Sequence, residues 1–163
     1  MVSVSTAAEH GVRPLSIRDV ERVISIDQAH AGHSRRHFFE KRLAAIVAHP
    51  DDFIHIGVMR GGSLRGFAIA RLLRGEFGRT DTVAALDVIG VEAESQELGV
   101  GQALIEALTE TMRQRGVVTL QSQAKWTNHD LLRFFDASGF ELAPRLALER
   151  SVAKLLDEAG EEF

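Results

Sequence analysis

The sequence predicts an α/β fold: a single domain with a mixed central sheet flanked by helices. Three observations point there. Strand-like and helix-like apolar periods alternate along the chain, as they do when helices cover the faces of a sheet. A glycine-bearing turn, Gln96 to Gly101, joins a strand-like run to a helix-like one. The composition, 45% hydrophobic and 26% charged over 163 residues, is that of an ordinary globular domain and excludes a disordered chain or a coiled coil.

Residues 1–11 are small and polar without a period and read as a flexible lead. The domain is expected over 12–150, with 151–163 as a tail or short helix. A first strand lies near Val12. Ser16 with Asp19 resembles a capping box, and Ile17, Val20, Val23 and Ile24 follow at helical spacing, so a helix is expected over 17–29. Gly32 interrupts it. Phe38, Phe39, Leu43, Ile46 and Val47 mark a second helix that stops before His49-Pro50, because a residue preceding proline avoids the helical region. Phe53 to Val58, a Gly61-Gly62 turn and Leu64 to Leu73 read as a hairpin. After a loop, Val83 to Val91 is an apolar strand. Val100, Leu104, Leu108 and Met112 give a helix ending before Gly116, and Val117 to Gln123 a further strand. Asn128 suits an N-cap, Leu131, Leu132, Phe134 and Phe135 an apolar face, and Gly139 the left-handed end of the last helix. Phe140 to Leu142 and Leu146 to Arg150 are expected as two short strands around Pro144.

Charge and cysteine content narrow the function. Lys+Arg 19 against Asp+Glu 23 gives a net charge of −4, which argues against a nucleic-acid partner held by counterion release. With Cys 0 there is no disulfide framework, thiolate nucleophile or cysteine zinc site, and a cytoplasmic setting is the simpler expectation. No apolar run approaches the roughly 18 residues of a membrane helix, so no membrane partner is expected.

Gln96-Glu97-Leu98-Gly99-Val100-Gly101 stands between a strand and a helix. Glycines there let backbone N–H groups approach an anion, and the helix dipole favours phosphate; a plain tight turn is the alternative. A Walker loop would need Lys-Ser/Thr after Gly101, where Gln102-Ala103 stands, and a dinucleotide fingerprint would need a small residue at Leu104.

On these residues the chain resembles the GNAT superfamily of acyl-CoA-dependent N-acetyltransferases. The run from Val91 to Leu104 looks like its pyrophosphate block, Gln/Arg-x-x-Gly-x-Gly/Ala after a strand. Asn128, Leu131, Phe135, Gly139 and Phe140 fall at the spacing of its Asn-x-x-Ala-x-x-x-Tyr-x-x-x-Gly-Phe helix. The resemblance spans roughly Val12 to Arg150. It implies acetyl-CoA as cosubstrate, with the backbone of Ile89, Gly90 and Val91 along the pantetheine arm. The amides of Gln96, Glu97, Leu98, Gly99, Val100, Gly101 and Gln102 would hold the pyrophosphate, and Asn128 and Phe135 would lie on the cofactor. A homodimer is common in this family.

The chain departs from the pattern where acid and base usually stand. Phe135 replaces the Tyr placed near the leaving sulfur, and with Tyr 0 no other tyrosine substitutes; Gln123 stands where some members carry a Glu base. Asp87 is the best remaining carboxylate: on a regular strand it shares a face with Ile89 and Val91, and it reads either as a base or as an ion-pair partner of Arg71. Ser122 and His129 are weaker candidates. Asp27-x-x-His30-x-x-His33-x-x-x-His37 has ligand-like spacing, but Gly32 breaks the helix inside it, so no metal is expected. His33, Arg35 and Arg36 read instead as a loop able to meet an acidic substrate group, and Trp126 as a wall for a flat substrate. The expected activity is transfer of an acetyl group to an amine, with a small aromatic amine as one acceptor. An amine on an aromatic ring is already neutral near pH 7, whereas an alkyl amine with a reference pKa of about 10.4 is not. A protein amine is a second acceptor class, and a degenerate acyl-CoA-binding module the alternative to an enzyme.

Overall fold

The computed structural model describes residues 10–153, so the expected lead and tail lie almost wholly outside them. The chain divides into two compact units, one ending at His129 and the other starting at Asp130.

In the first unit five strands form one sheet: β1 (Gly11–Arg13), β2 (Phe53–Arg60), β3 (Ser63–Arg74), β4 (Thr82–Val91) and β5 (Leu120–Ser122). They lie in chain order, antiparallel from β1 to β4, with β5 parallel to β4. The sheet is therefore mixed, as expected. Helices α1 (Val20–Ala31) and α2 (Arg36–Ala48) cover one face with Val23, Ile24, Ile26, Phe39, Leu43 and Ile46, which pack on Phe67, Ile69 and Val88. Helix α3 (Val100–Gln114) covers the other face. It sits so close that a Cβ at Gly66 would stand 2.6 Å from Val100 Cγ1.

The first helix differs from the expected 17–29 because Ile17–Asp19 forms a separate tight turn. Asp19 Oδ2 accepts from the Ser16 N–H at 2.8 Å while both its oxygens accept from Arg13, so that turn is held from outside the helix. β5 is shorter than the expected 117–123, for its pairing with β4 ends at Leu86, one residue before an irregularity described below.

The second unit contains all but the first residue of α4 (His129–Ala137). The Phe135 ring is buried and lies 4.6 Å from that of Phe140 and 5.8 Å from that of Phe134, centroid to centroid. The two strands expected around Pro144 are absent among the described residues: 140–142 and 146–150 join no ladder. Pro144 lacks a donor, and Leu142, Leu146 and Leu148 are fully or nearly fully exposed, so no apolar burial rewards an extended pairing there.

Candidate active site

The end of β4, a short 3-10 turn (Ala93–Leu98) and the start of α3 follow one another directly. Gly99 links the turn to α3 at φ 77°, ψ 13°, a left-handed conformation that costs a residue with a Cβ about 1–2 kcal/mol. The first intrahelical bond here is from Ala103 N–H to Gly99 C=O at 3.0 Å. The N–H groups of Val100, Gly101 and Gln102 thus belong to the first turn, which has no intrahelical acceptor, and they suit an anion. Gln96, Glu97, Leu98 and Gln102 are exposed, whereas Val100 and Gly101 are buried.

Two braces hold this turn. Glu92 pairs with Arg22 and, at 2.7 Å, with Arg65; the Ser95 hydroxyl donates to it at 3.1 Å, and its own N–H donates to Arg65 C=O at 2.8 Å. The guanidiniums of Arg65 and then Arg22 hold its carboxyl down at about 2. His10, buried, donates from Nε2 to Leu98 C=O at 3.0 Å.

The edge of β4 facing β5 is unpaired after Leu86 among the described ladders. Glu92 N–H turns toward β3, and backbone direction alternates, so the N–H and C=O of Ile89 and Val91 face the open edge while those of Gly90 face β3. His30 Nε2 donates to Val91 C=O at 2.5 Å.

A bulge lies upstream on the same strand. Ile69 pairs with Val88 and its neighbour Ala70 with Leu86, so β4 carries one extra residue, Asp87. Leu86 and Val88 consequently lie on opposite faces although two apart. The expected sharing of a face by Asp87, Ile89 and Val91 fails for that reason. Ile89 pairs with Ala68 on the α3 side, whereas Asp87 turns toward α2, with Oδ2 3.3 Å from Arg42 Nη2 and 3.7 Å from Arg71 Nε. Arg42 lies 5.2 Å above the Phe38 ring and 5.6 Å above that of Phe53.

The remaining candidates are dispersed. Arg35 is bound to both oxygens of Asp27, and Arg36 to Glu21 at 2.6 and 2.9 Å. His33 Nδ1 lies 3.0 Å from Ala31 C=O, so with Asp27 on Arg35 and His30 on Val91 the ligand-like spacing is not gathered into one site. Trp126, Gln123 and His129 are exposed; Asn128 immediately precedes α4, and the Ser122 hydroxyl donates to Leu86 C=O at 3.0 Å, where β4 and β5 part. His10, Arg22, Arg42, Arg65 and Glu92 were not singled out from the sequence as functional. Glu92 stood inside the glycine block, but its partners lie 27 and 70 residues away and leave no local trace. No helix of the described residues is long and apolar enough to cross a membrane.

A model of the Acetyltransferase (GNAT) family matches residues 19–140. The [Ribosomal protein bS18]-alanine N-acetyltransferase of Escherichia coli (strain K12) is 28% identical over 91 residues, 56% of this chain and 57% of that protein. The chain thus matches little more than half the length of that curated relative. Among solved structures, AAC(6')-Iy in complex with the bisubstrate analog CoA-S-monomethyl-acetylneamine superposes with a TM-score of 0.72 at 21% identity, covering 87% of this chain and 97% of that one. Aminoglycoside antibiotic 6'-N-acetyltransferase AAC(6')-Ih from Acinetobacter baumannii gives 0.73 at 16% identity, over 87% and 97%.

Proposed function

Because the chain belongs to the acetyltransferase (GNAT) family, we propose that it transfers an acetyl group from acetyl-CoA to an amine by direct attack. The observation that supports this best is the open edge of β4 running straight into the glycine turn. One face of the chain offers backbone groups to an extended arm, and the next turn offers N–H groups to its phosphates. Val100, Gly101 and Gln102 would hold the pyrophosphate, Ile89 and Val91 the arm, and Asn128 would complete the cofactor contacts. Acetyl-CoA would supply the thioester acyl group, to which the amine nitrogen would bond as the carbon–sulfur bond breaks, with CoA leaving as a thiolate that takes up, through solvent, the proton the nitrogen sheds. Asp87 lies at the far end of the open edge with its Oδ2 buried between Arg42 and Arg71. Its part in this reading is to hold those guanidiniums. An acceptor amine that is neutral before it binds fits a site without the usual Tyr and Glu, so a small aromatic amine is the acceptor we favour.

The same departures favour one second reading, an acyl-CoA-binding module without turnover, since Phe135 has no proton to give and Gln123 cannot take one. Thiol release from acetyl-CoA with a panel of aryl and alkyl amines separates the two. Release with arylamines supports the enzyme, and CoA binding without release supports the module. In either case Gly101→Val is expected to remove the thermal stabilisation by CoA. A folded Gly101→Val protein that keeps the full shift would overturn the placement of the phosphates.

A further inference from the structure

Most acidic groups around the two N-terminal helices are already matched. Asp19 is taken by Arg13, Glu21 by Arg36 and Asp27 by Arg35, in each case through both carboxylate oxygens. Two guanidiniums also share Glu92, but there each hydrogen-bonds the carboxylate, and Arg22 also donates to Leu64 C=O. The bulge is different. Arg42 and Arg71 flank the single carboxylate of Asp87 at 3.3 and 3.7 Å, its buried Oδ2 has no hydrogen-bond partner, and neither has the buried Arg42 Nε. The cluster carries one excess positive charge. Arg42 is pinned over two rings and its side chain is 21% exposed, whereas that of Arg71 is 48% exposed, so Arg71 keeps donors available to an incoming group.

The position of the cluster gives this charge a use. A donor held by its phosphates at Val100 to Gln102 and laid along Val91 and Ile89 directs its far end toward residue 87, about 13 Å upstream of Val91 in extended chain. We infer that Arg71, supported by Arg42 and Asp87, binds a carboxylate on the acceptor, so that the substrate class is an amine bearing an acidic group. The inference rests on the reading of the chain as an acetyl-CoA-dependent transferase. Guanidinium meets carboxylate in a two-point fork, stronger and more directional than a single contact, while a polyamine would meet net positive charge at the same place. Arg35 and Arg36, the arginines the sequence suggested for this role, each already hold a carboxylate of their own in a two-point pair, Asp27 and Glu21.

The test compares aminobenzoate with aminobenzamide, which differ in the charge of one group. The wild-type protein is expected to show at least a tenfold higher kcat/KM for the acid. Arg71→Ala should bring that ratio close to one, Arg71→Lys should restore part of it, and Arg74→Ala, which removes an exposed partner of Asp52 on the same strand, should leave it unchanged. Calorimetric titration of aminobenzoate into the CoA-bound protein should lose its affinity in Arg71→Ala in the same way. CoA binding and thiol release with no preference for the acid, or a preference that survives in Arg71→Ala, overturns this inference and leaves the transferase reading standing. Absence of thiol release in the wild-type protein, with or without CoA binding, overturns the transferase reading itself.

Discussion

Glu92→Gln removes the negative charge that Arg22 and Arg65 share at the entrance to the glycine turn. In the folded chain the carboxyl is held at about 2 against an ordinary 4.5, chiefly by the hydrogen bond from Arg65 and then by that from Arg22. A shift of that size corresponds to roughly 3 kcal/mol at 1.36 kcal/mol per pH unit. The Glu92 side chain is 17% exposed and its partners 30–36%, so solvent screens part of the interaction, and about 1–2 kcal/mol is expected. For a chain of this size that lowers Tm by about 3–6 °C. The sign with pH follows from the lowered folded value. The stabilisation is complete above the unfolded value near 4.5 and is lost as pH falls toward 2. The Tm difference between wild type and Glu92→Gln, measured by calorimetry from pH 7 to 2.5, should be constant down to about pH 5 and then close. Asp19, whose carboxyl is also held low by Arg13, titrates in both proteins and cancels in the difference. A difference that stays constant to pH 2.5, or no difference at pH 7, would refute the reasoning.

His10→Leu removes the donor to Leu98 C=O and is expected to weaken CoA binding about fivefold, the worth of roughly 1 kcal/mol for one hydrogen bond, while His10→Gln, which can present an N–H at similar reach, recovers most of it; equal affinities for the two variants would argue against a positioning role. His55 accepts from Leu15 N–H at 3.1 Å, and burial followed by the charge of Arg115 lowers its pKa, so neutral His55 stabilises the fold fully above about pH 6.5 and that contribution is lost as pH falls below it. His55→Gln should flatten the dependence of Tm on pH just below 6.5, and an unchanged slope there would show that His55 does not carry it.

What the sequence determined by itself was local. The alternation of apolar residues placed β2, β3, β4 and the helices, Gly32, Gly116 and Gly139 ended helices in the left-handed conformation only glycine takes freely, and Gly99 marked the turn before α3. Each of these follows from backbone dihedrals and periodicity within a few residues, so a single chain reveals them. The extra residue at Asp87 was not legible, because a bulge exists only as a mismatch between two strands and neither strand's own pattern contains it. The three-residue length of β5 and the unpaired run after Phe140 were hidden for a related cause: a strand needs a partner as well as an extended sequence. Tertiary structure alone also decided which carboxylate each arginine meets. Nothing in the run Ser34-Arg35-Arg36 shows that Asp27 and Glu21 claim both guanidiniums, nor that Arg42 and Arg71, 29 positions apart in the chain (71 − 42), converge on one carboxylate. Charge pairing of this kind depends on distance in space, which the fold sets and the order of residues along the chain does not show.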